Sequence, residues 1–362
     1  MNNIIWTHSE EDFRAWDKFL ISSKRGHYLQ ASDWLKSYEV YGFNCELLLV
    51  KDEKGQIVGG SGLLICKLFI FKFCVVNCGP IIKKGHEKLF NVIVKEILSR
   101  SRSYNPVAIT INFPILEKKD ENLDSFCLDI SLDDPVFKKS KSGNYIKFVS
   151  CINGFREVPL KYHDEINTEE HLFKNFNKGT RRDVRYSLNN NLSLKFAESR
   201  KDLKKAYLFL EKIAKEQNFS RRSWKDFEKT LINMVKNKVC IVPTCYHEDI
   251  LKSVLIISTI GKRYSLLMAG SLRENPSLHS GRFIHFQILK MSIQNKFLFY
   301  DISVGGTKGV TKFKEGFGGF HKKFIGERTW IENSVVFYIY IKALPFLKKN
   351  KVFISKVLKY FR

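Results

Sequence analysis

Near the C-terminal end of the chain, Asp301 sits among the apolar or β-branched residues Phe299, Tyr300, Ile302 and Val304, and Gly305-Gly306 follows at once. This reads as a short buried strand ending in an acid, after which glycine lets the backbone turn sharply. A second glycine-bracketed stretch, Gly309 to Gly319, carries Phe313, Lys314 and Phe317. Glycines there let a bulky ligand approach the backbone, and Lys314 brings a mobile cation to it. The chemistry open to such a lysine is the stabilisation of negative charge. The densest basic run lies earlier, at Asn177-Lys178-Gly179-Thr180-Arg181-Arg182-Asp183-Val184-Arg185-Tyr186. Gly179-Thr180 can open a helix whose free N–H groups lie beside two guanidinium groups, which suits a phosphate or a carboxylate. The same residues also describe a solvated, positively charged helix start. Near the N-terminus, Gln30-Ala31-Ser32-Asp33-Trp34-Leu35-Lys36 joins a strand-end hydrogen bonder and a core tryptophan to a lysine.

Other chemistries lack their residues. None of the nine histidines stands in a nucleophile elbow or at metal spacing, and His285, on an apolar stretch, reads as a core residue. No Walker sequence occurs. The Gln/Arg-x-x-Gly-x-Gly/Ala loop that wraps the pyrophosphate of acyl-CoA is not recognisable, which speaks against a simple acetyl-CoA enzyme. The eight cysteines form no CxxC pair and no metal set, so they are expected as buried free thiols in a reducing cytoplasm.

The elements that must position these residues are expected to be mixed. Ser9 to Leu20 places Phe13, Trp16, Phe19 and Leu20 at helical spacing. Cys45 to Val50, a turn at Asp52-Glu53-Lys54-Gly55 and Ile57-Val58 form a hairpin, and further strands run to Ile82. Leu89 to Leu98 is an amphipathic helix, and Val107 to Ile111 a strand. In the second half, Lys178 to Leu188 and Leu203 to Ala214 are helical. Strands follow through Cys240 to Val242, Val254 to Ile257 and Tyr264 to Leu267, then a helix from Gly281 to Asn295 leads into the Tyr300-Asp301 strand. This order predicts an α/β (α+β) protein of two similar domains, each a mixed central sheet flanked by helices. We draw the boundaries at 1–150, 151–330 and a basic tail at 331–362.

The formal charge of +24, from 61 basic against 37 acidic residues, fits an anionic partner such as nucleic acid, a pyrophosphate-bearing lipid precursor or an anionic membrane. It equally fits a lysine-rich coding bias. No stretch is long and uncharged enough to span a bilayer, and no secretory signal is visible at the N-terminus, so a cytoplasmic location is expected. From Ile341, Lys342, Lys348, Lys349, Lys351, Lys356, Lys359 and Arg362 alternate with apolar residues and no acid occurs. Such a segment can lie on the inner face of the plasma membrane or dock on the core with its lysines solvated; Pro345 is expected to confine any helix to the residues after it.

Taken in order, these motifs resemble the peptidoglycan bridge-forming aminoacyltransferases of the Fem family. That family carries a Tyr-Asp strand end followed by Phe-Lys-x-x-Phe-Gly, a Lys-x-Thr-Arg-Arg element opening its second domain, and a Gln-x-x-x-Trp element near its N-terminus. Asn77-Cys78-Gly79-Pro80 resembles the family's Arg-Gly-Pro segment with cysteine in place of the arginine. Gln217 to Ser223 resembles the loop that presents a substrate-binding arginine, here Arg222. The matches run from about Gln30 to Gly326, and the long coiled-coil arm of some members has no counterpart.

The resemblance implies two tandem acetyltransferase-like (GNAT) domains that move an amino acid from aminoacyl-tRNA to an amine of a lipid-linked or nucleotide-linked peptidoglycan precursor. It implies no bound cofactor and no metal. Lys314 would supply positive charge to the tRNA end or to the developing oxyanion, Asp301 would orient the amine or a loop N–H, and Phe313 and Phe317 would pack the loop. Lys36, Arg181 and Arg182 would bind phosphates. Two further classes stay open: an N-acyltransferase using acyl-CoA or an acyl carrier on a surface amino sugar, and a non-catalytic tRNA- or membrane-binding protein on the same fold.

Overall fold

The structure, a computed structural model, describes residues 3–120, 126–131, 133–162, 165–166 and 169–349. Its chain divides into a first unit of Met1–Asn153 with Lys323–Arg362 and a second unit of Gly154–Lys322. The first unit holds β1 (Asn3–Thr7), α1 (Glu10–Ser22), α2 (Ser32–Lys36), β2 (Asn44–Lys51), β3 (Ile57–Leu68), β4 (Phe71–Val76), β5 (Ile81–Ile82), α3 (Phe90–Arg102), β6 (Ala108–Asn112) and β7 (Lys141–Ser142). The second holds β8 (Gly154–Pro159), β9 (Lys161–Tyr162), β10 (Glu165–Ile166), α4 (Glu169–Asn175), α5 (Lys178–Leu188), β11 (Leu192–Phe196), α6 (Arg200–Glu216) and α7 (Trp224–Lys236). It continues through β12 (Cys240–Ile241), β13 (Pro243–His247), β14 (Ile250–Ser258), β15 (Tyr264–Ser271), α8 (Ser280–Gln294), β16 (Phe299–Asp301), α9 (Lys308–Glu315) and β17 (Phe320–Lys323). The chain then returns to the first unit as β18 (Glu327–Ile331) and α10 (Ser334–Lys349).

Both units follow one plan. In the first sheet the order is β1-β2-β3-β4-β6-β18-β7, and β4 and β6 are parallel neighbours. In the second it is β11-β13-β14-β15-β16-β8-β17, and β15 and β16 are parallel neighbours. Parallel neighbours need a crossover, supplied by α3 in one sheet and α8 in the other. Beside each crossover pair lies an antiparallel strand from a distant part of the chain: β18 on β6, β8 on β16. The expected mixed sheets flanked by helices are therefore present twice. The boundary drawn at residue 330 is corrected, because β18 hydrogen-bonds along β6 and carries the following helix into the first unit.

Helices α1 and α3 bury the faces their apolar spacing defines. Ser9 caps α1 by accepting from the Glu11 N–H, and Phe13, Trp16 and Leu20 turn inward. Phe90, Ile93, Val94 and Ile97 of α3 join the first core with Leu48, Val76, Ile109 and Ile111. The second core gathers Val158, Leu255, Ile257, Leu266, Ile284, Ile288, Tyr300 and Phe317. All eight cysteines are free, and every one except the half-buried Cys151 is buried. α7, with Trp224, Phe227 and Leu231 buried, has no counterpart in the sequence-based expectations. Helix α10 runs through Pro345 rather than starting after it, with Phe337 and Tyr340 buried and the Tyr340 ring 4.8 Å from Phe73. Lys351, Lys356, Lys359 and Arg362 of the expected basic tail lie outside the described residues.

Gln30 ties the first unit together from a fully buried position. Its amide nitrogen donates to the Asn77 carbonyl, its Oε1 accepts the Gly62 N–H at 2.6 Å, and its own carbonyl accepts Trp16 Nε1 at 2.8 Å. Gln30→Ala strands a buried N–H and a buried C=O and opens a small cavity. The expected loss is about 2–4 kcal/mol, read as a lower urea midpoint with secondary structure retained in buffer.

Candidate active site

The second unit gathers four of the sequence-selected residues, Asp301, Lys314, Phe313 and Phe317, around the end of β16. Asp301 is the last residue of that strand, opposite Ser265 of the parallel β15 and Glu157 of the antiparallel β8. It is buried, and its Oδ1 accepts the Arg156 N–H at 3.1 Å and the Ser303 N–H at 3.0 Å. Burial raises its pKa; Arg263, the two N–H bonds and Lys314 oppose that rise. The bond to the residue two positions on is an Asx-turn, and it holds Ser303 at φ 69°, in the left-handed region. Asp301 thus shapes the turn into the following loop.

Lys314 does not lie on a glycine-flanked loop, nor is it mobile. It occupies the last turn of α9, which Thr307 opens by accepting the Val310 N–H. Gly309 falls inside this helix, and Val310, Phe313 and Phe317 follow at helical spacing, so periodicity outweighs the single glycine. The Lys314 side chain is buried, and its Nζ donates to the Ser303 carbonyl at 3.1 Å and the Gly305 carbonyl at 2.6 Å. Burial pushes its pKa down to about 8, Asp301 resists that fall, and Arg156 adds to it. An ammonium has three N–H donors, and among the described residues two are engaged. The third has no partner among the described residues.

Around this lysine stand groups that the sequence did not single out. Arg282, on the first turn of α8, lies 4.0 Å from the centroid of Phe313 and 5.0 Å from that of Phe317. Its Nη1 donates to the Phe313 carbonyl at 2.6 Å, so it clamps the end of α9 to α8; burial lowers its pKa to about 10. Arg156 is buried on β8 with Nη1 3.3 Å from Glu315 Oε1, and among the described residues its Nε has no partner. Arg282 could have been suspected from the i, i+3 spacing to His285, which puts both on one face of the expected helix. Arg156 carries no comparable signal, because its strand was not foreseen. His285 is a core residue, as read: Nδ1 is 3.0 Å from the Tyr300 hydroxyl, and burial, then Lys314 and Arg282, push its pKa down to about 3.

The basic run at α5 meets the same place. Asn177 caps α5 by accepting the Thr180 N–H at 2.7 Å, and its own N–H donates to the Gly316 carbonyl at 3.0 Å. A Cβ on Gly316 would stand 2.2 Å from Thr180 Oγ1 and 3.0 Å from Arg282 Nη1, so only glycine lets α9 end against α5. Arg181 is half-buried at this helix start; Arg182 is exposed and pairs with its neighbour Asp183 at 3.3 Å.

The two remaining selected residues have local partners of their own. Lys36 closes α2 in the first unit, with its Nζ 2.6 and 2.7 Å from the two Glu10 carboxylate oxygens and 4.3 Å from the Phe13 ring centroid. Arg222 precedes α7, 5.8 Å from the Phe227 ring, and its carbonyl accepts the Tyr207 hydroxyl. The neighbouring Arg221 is the more deeply placed of the two; burial lowers its pKa, and its Nε and Nη1 are without partners among the described residues. Cys78, standing where the family motif has arginine, is buried at φ 50°. Among the described residues no group of three or more His, Cys, Asp or Glu is placed to hold a metal ion, and no helix is long and apolar enough to cross a membrane.

The comparisons with known proteins bear on this arrangement. The FemAB family matches residues 10–249. Among solved structures, FemX aligns with a TM-score of 0.73 at 14% identity over 93% of this chain and 100% of its own. The L-PGS structure from Bacillus licheniformis aligns at 0.55 with 10% identity, over 92% of this chain and 96% of that one. The C-terminal domain of a putative lysylphosphatidylglycerol synthetase from Agrobacterium fabrum aligns at 0.52 with 9% identity, over 94% and 98%. At these identities the likeness is one of fold. No curated protein matches.

Proposed function

From the premise that this chain belongs to the FemAB family and is an acyltransferase of GNAT-like construction, we propose that it transfers an amino acid from aminoacyl-tRNA to an amine of a peptidoglycan precursor. The observation that carries this reading is the Lys314 ammonium, buried on α9, held by two carbonyls and left with one N–H to give. A tRNA ester is already activated, so no covalent enzyme intermediate is needed. The neutral acceptor amine attacks the ester carbonyl, and a tetrahedral intermediate bearing an oxyanion forms. Collapse forms the amide, breaks the ester C–O bond and releases the tRNA hydroxyl, which takes up a proton as the amine loses one. The third N–H of Lys314 donates to the oxyanion, and Asp301 positions the lysine by fixing the turn whose carbonyls hold it.

In this reading Arg181 and Arg182 face the phosphates of the donor, while Lys36 and Arg222 serve the lipid-linked or nucleotide-linked acceptor. Such donors place the work in the cytoplasm. Purified protein given charged tRNA or acyl-CoA and a panel of acceptor amines, with products read by mass spectrometry, tests the assignment. Amide product from charged tRNA and a muropeptide amine is expected. Product from acyl-CoA and an amino sugar alone would replace the reading with the surface-polysaccharide one.

A pH prediction follows from the same geometry. Transfer requires Lys314 protonated and the acceptor amine neutral, so the rate divided by the neutral fraction of the amine is level below the lysine's pKa and falls as pH rises through about 8. The Asp301 carboxylate raises that pKa. Asp301→Asn keeps an oxygen for the two backbone N–H groups but removes the charge, so the alkaline limb of kcat should move to lower pH. A limb that stays in place would show that Asp301 does not act through Lys314.

A further inference from the structure

The first unit exposes an apolar surface that the transfer reaction does not use. The β3–β4 hairpin turns through Phe69 and Ile70, between the cross-strand pair Leu68 and Phe71. A two-residue hairpin loop in water ordinarily takes asparagine and glycine. Here Phe69 adopts φ 55°, in the region those residues favour, and Ile70 is 81% exposed. Phe71 is exposed as well. One pair further from the tip, Lys67 stands directly opposite Lys72. Like charges so placed repel, and they cost the isolated protein stability.

The same surface continues to α10. Ile70, Phe71 and Lys72 line one shallow depression together with Glu332 and Asn333, the residues that lead into that helix. Glu332 is paired with Arg102, at 3.0 Å. Phe337 and Tyr340 turn α10 inward onto Phe73 and Tyr145. On its other side Val335, Tyr338 and Ile339 are all more than half exposed, and Lys342 completes the i, i+3, i+4, i+7 stripe with its ammonium 5.4 Å from the Tyr338 ring. A helix apolar on both sides but docked on one has a face to cover. The chain that follows, residues 350–362, adds Lys351, Lys356, Lys359 and Arg362 and no acid.

We propose that the Phe69–Phe71 hairpin tip and the Val335/Tyr338/Ile339 stripe of α10 form a docking surface for an anionic lipid bilayer. The apolar side chains enter the boundary between headgroups and acyl chains, and Lys67, Lys72 and Lys342 meet the lipid phosphates. The charge decides for lipid over a second copy of this chain, since two such faces would bring their lysines against each other. The inference stands on the first unit alone and does not depend on the transfer reaction.

The test uses the full chain and phosphatidylcholine vesicles with and without phosphatidylglycerol, free of tRNA and of any precursor. Binding to the phosphatidylglycerol vesicles that weakens with salt is expected. Ile70→Asp with Ile339→Asp, both at exposed positions and checked for retained fold by circular dichroism, should weaken it about tenfold or more. Lys67→Gln with Lys72→Gln should reduce the preference for the anionic vesicles. The proposal is overturned if the chain binds neither vesicle. It is also overturned if the Ile70→Asp, Ile339→Asp variant binds as tightly as the parent, leaving the C-terminal basic residues as the sole contact. Light scattering that reports a dimer abolished by these changes, with no vesicle binding, would assign the face to a second copy instead.

Discussion

Replacing Lys314 with methionine is expected to slow amide formation by about 10²–10³-fold, the loss that follows removal of one donor to a developing oxyanion. The fold should tolerate the change. Methionine fills much of the space of the lysine stem, and the cost of holding a buried ammonium disappears with it. The two carbonyls that lose their donor belong to Ser303 and Gly305, which are half-buried and exposed, so water can reach them. A change in stability of about 1 kcal/mol or less is expected. Single-turnover transfer beside a urea titration separates the outcomes: a large fall in rate with an unmoved midpoint supports the role, and a fall in both assigns Lys314 to structure. Lys314→Arg keeps the charge but replaces a compact donor with a planar fork, and it should recover little of the rate.

Gly316→Ala should have the largest effect on stability within the site. The new methyl would stand 2.2 Å from Thr180 Oγ1 and 3.1 Å from the Phe313 carbonyl. The glycine has ordinary helical φ, so the cost is one of space rather than backbone strain. Thr180 is fully buried and the Phe313 carbonyl is backbone, so neither gives way cheaply. A loss of about 1–3 kcal/mol is expected, with slower transfer because the Arg282 clamp on α9 is displaced. Thr180→Ala provides the control. Its hydroxyl has no hydrogen-bond partner among the described residues, so its removal is mild, and in the double variant it should return about 1 kcal/mol or more of the loss. Strictly additive effects would mean that the two side chains do not meet.

Much of this site was legible before the structure. The strand end at Asp301, the helix from Lys178 to Leu188 and the crossover helix from Gly281 follow from local patterns: apolar runs, a Gly-Thr helix opening and 3.6-residue spacing. The family motifs picked out Lys314, Phe313 and Phe317, which lie on one short helix and in the turn that ends it. What escaped is of two kinds. Glycine density masked the helical spacing of Val310, Phe313 and Phe317, so the support of Lys314 read as a loop. Partner choice in the sheets is the other kind. That β18 crosses back to β6 after an entire second unit, or that β8 brings Arg156 to the end of β16, is decided by long-range pairing that no window of sequence contains. Arg282 belongs with these, since its importance lies in the carbonyl it reaches on another helix.

The account rests on a protonated Lys314 at the transferring carbonyl, and the single-turnover rate of transfer from aminoacyl-tRNA measured against pH tests it most directly. With spontaneous ester hydrolysis subtracted and the rate divided by the neutral fraction of the acceptor amine, the parent chain should show a rate that falls through about pH 8, and Lys314→Met should show a low residual rate without that limb. An alkaline limb that survives unchanged in Lys314→Met, or a parent rate that does not fall there, would contradict it.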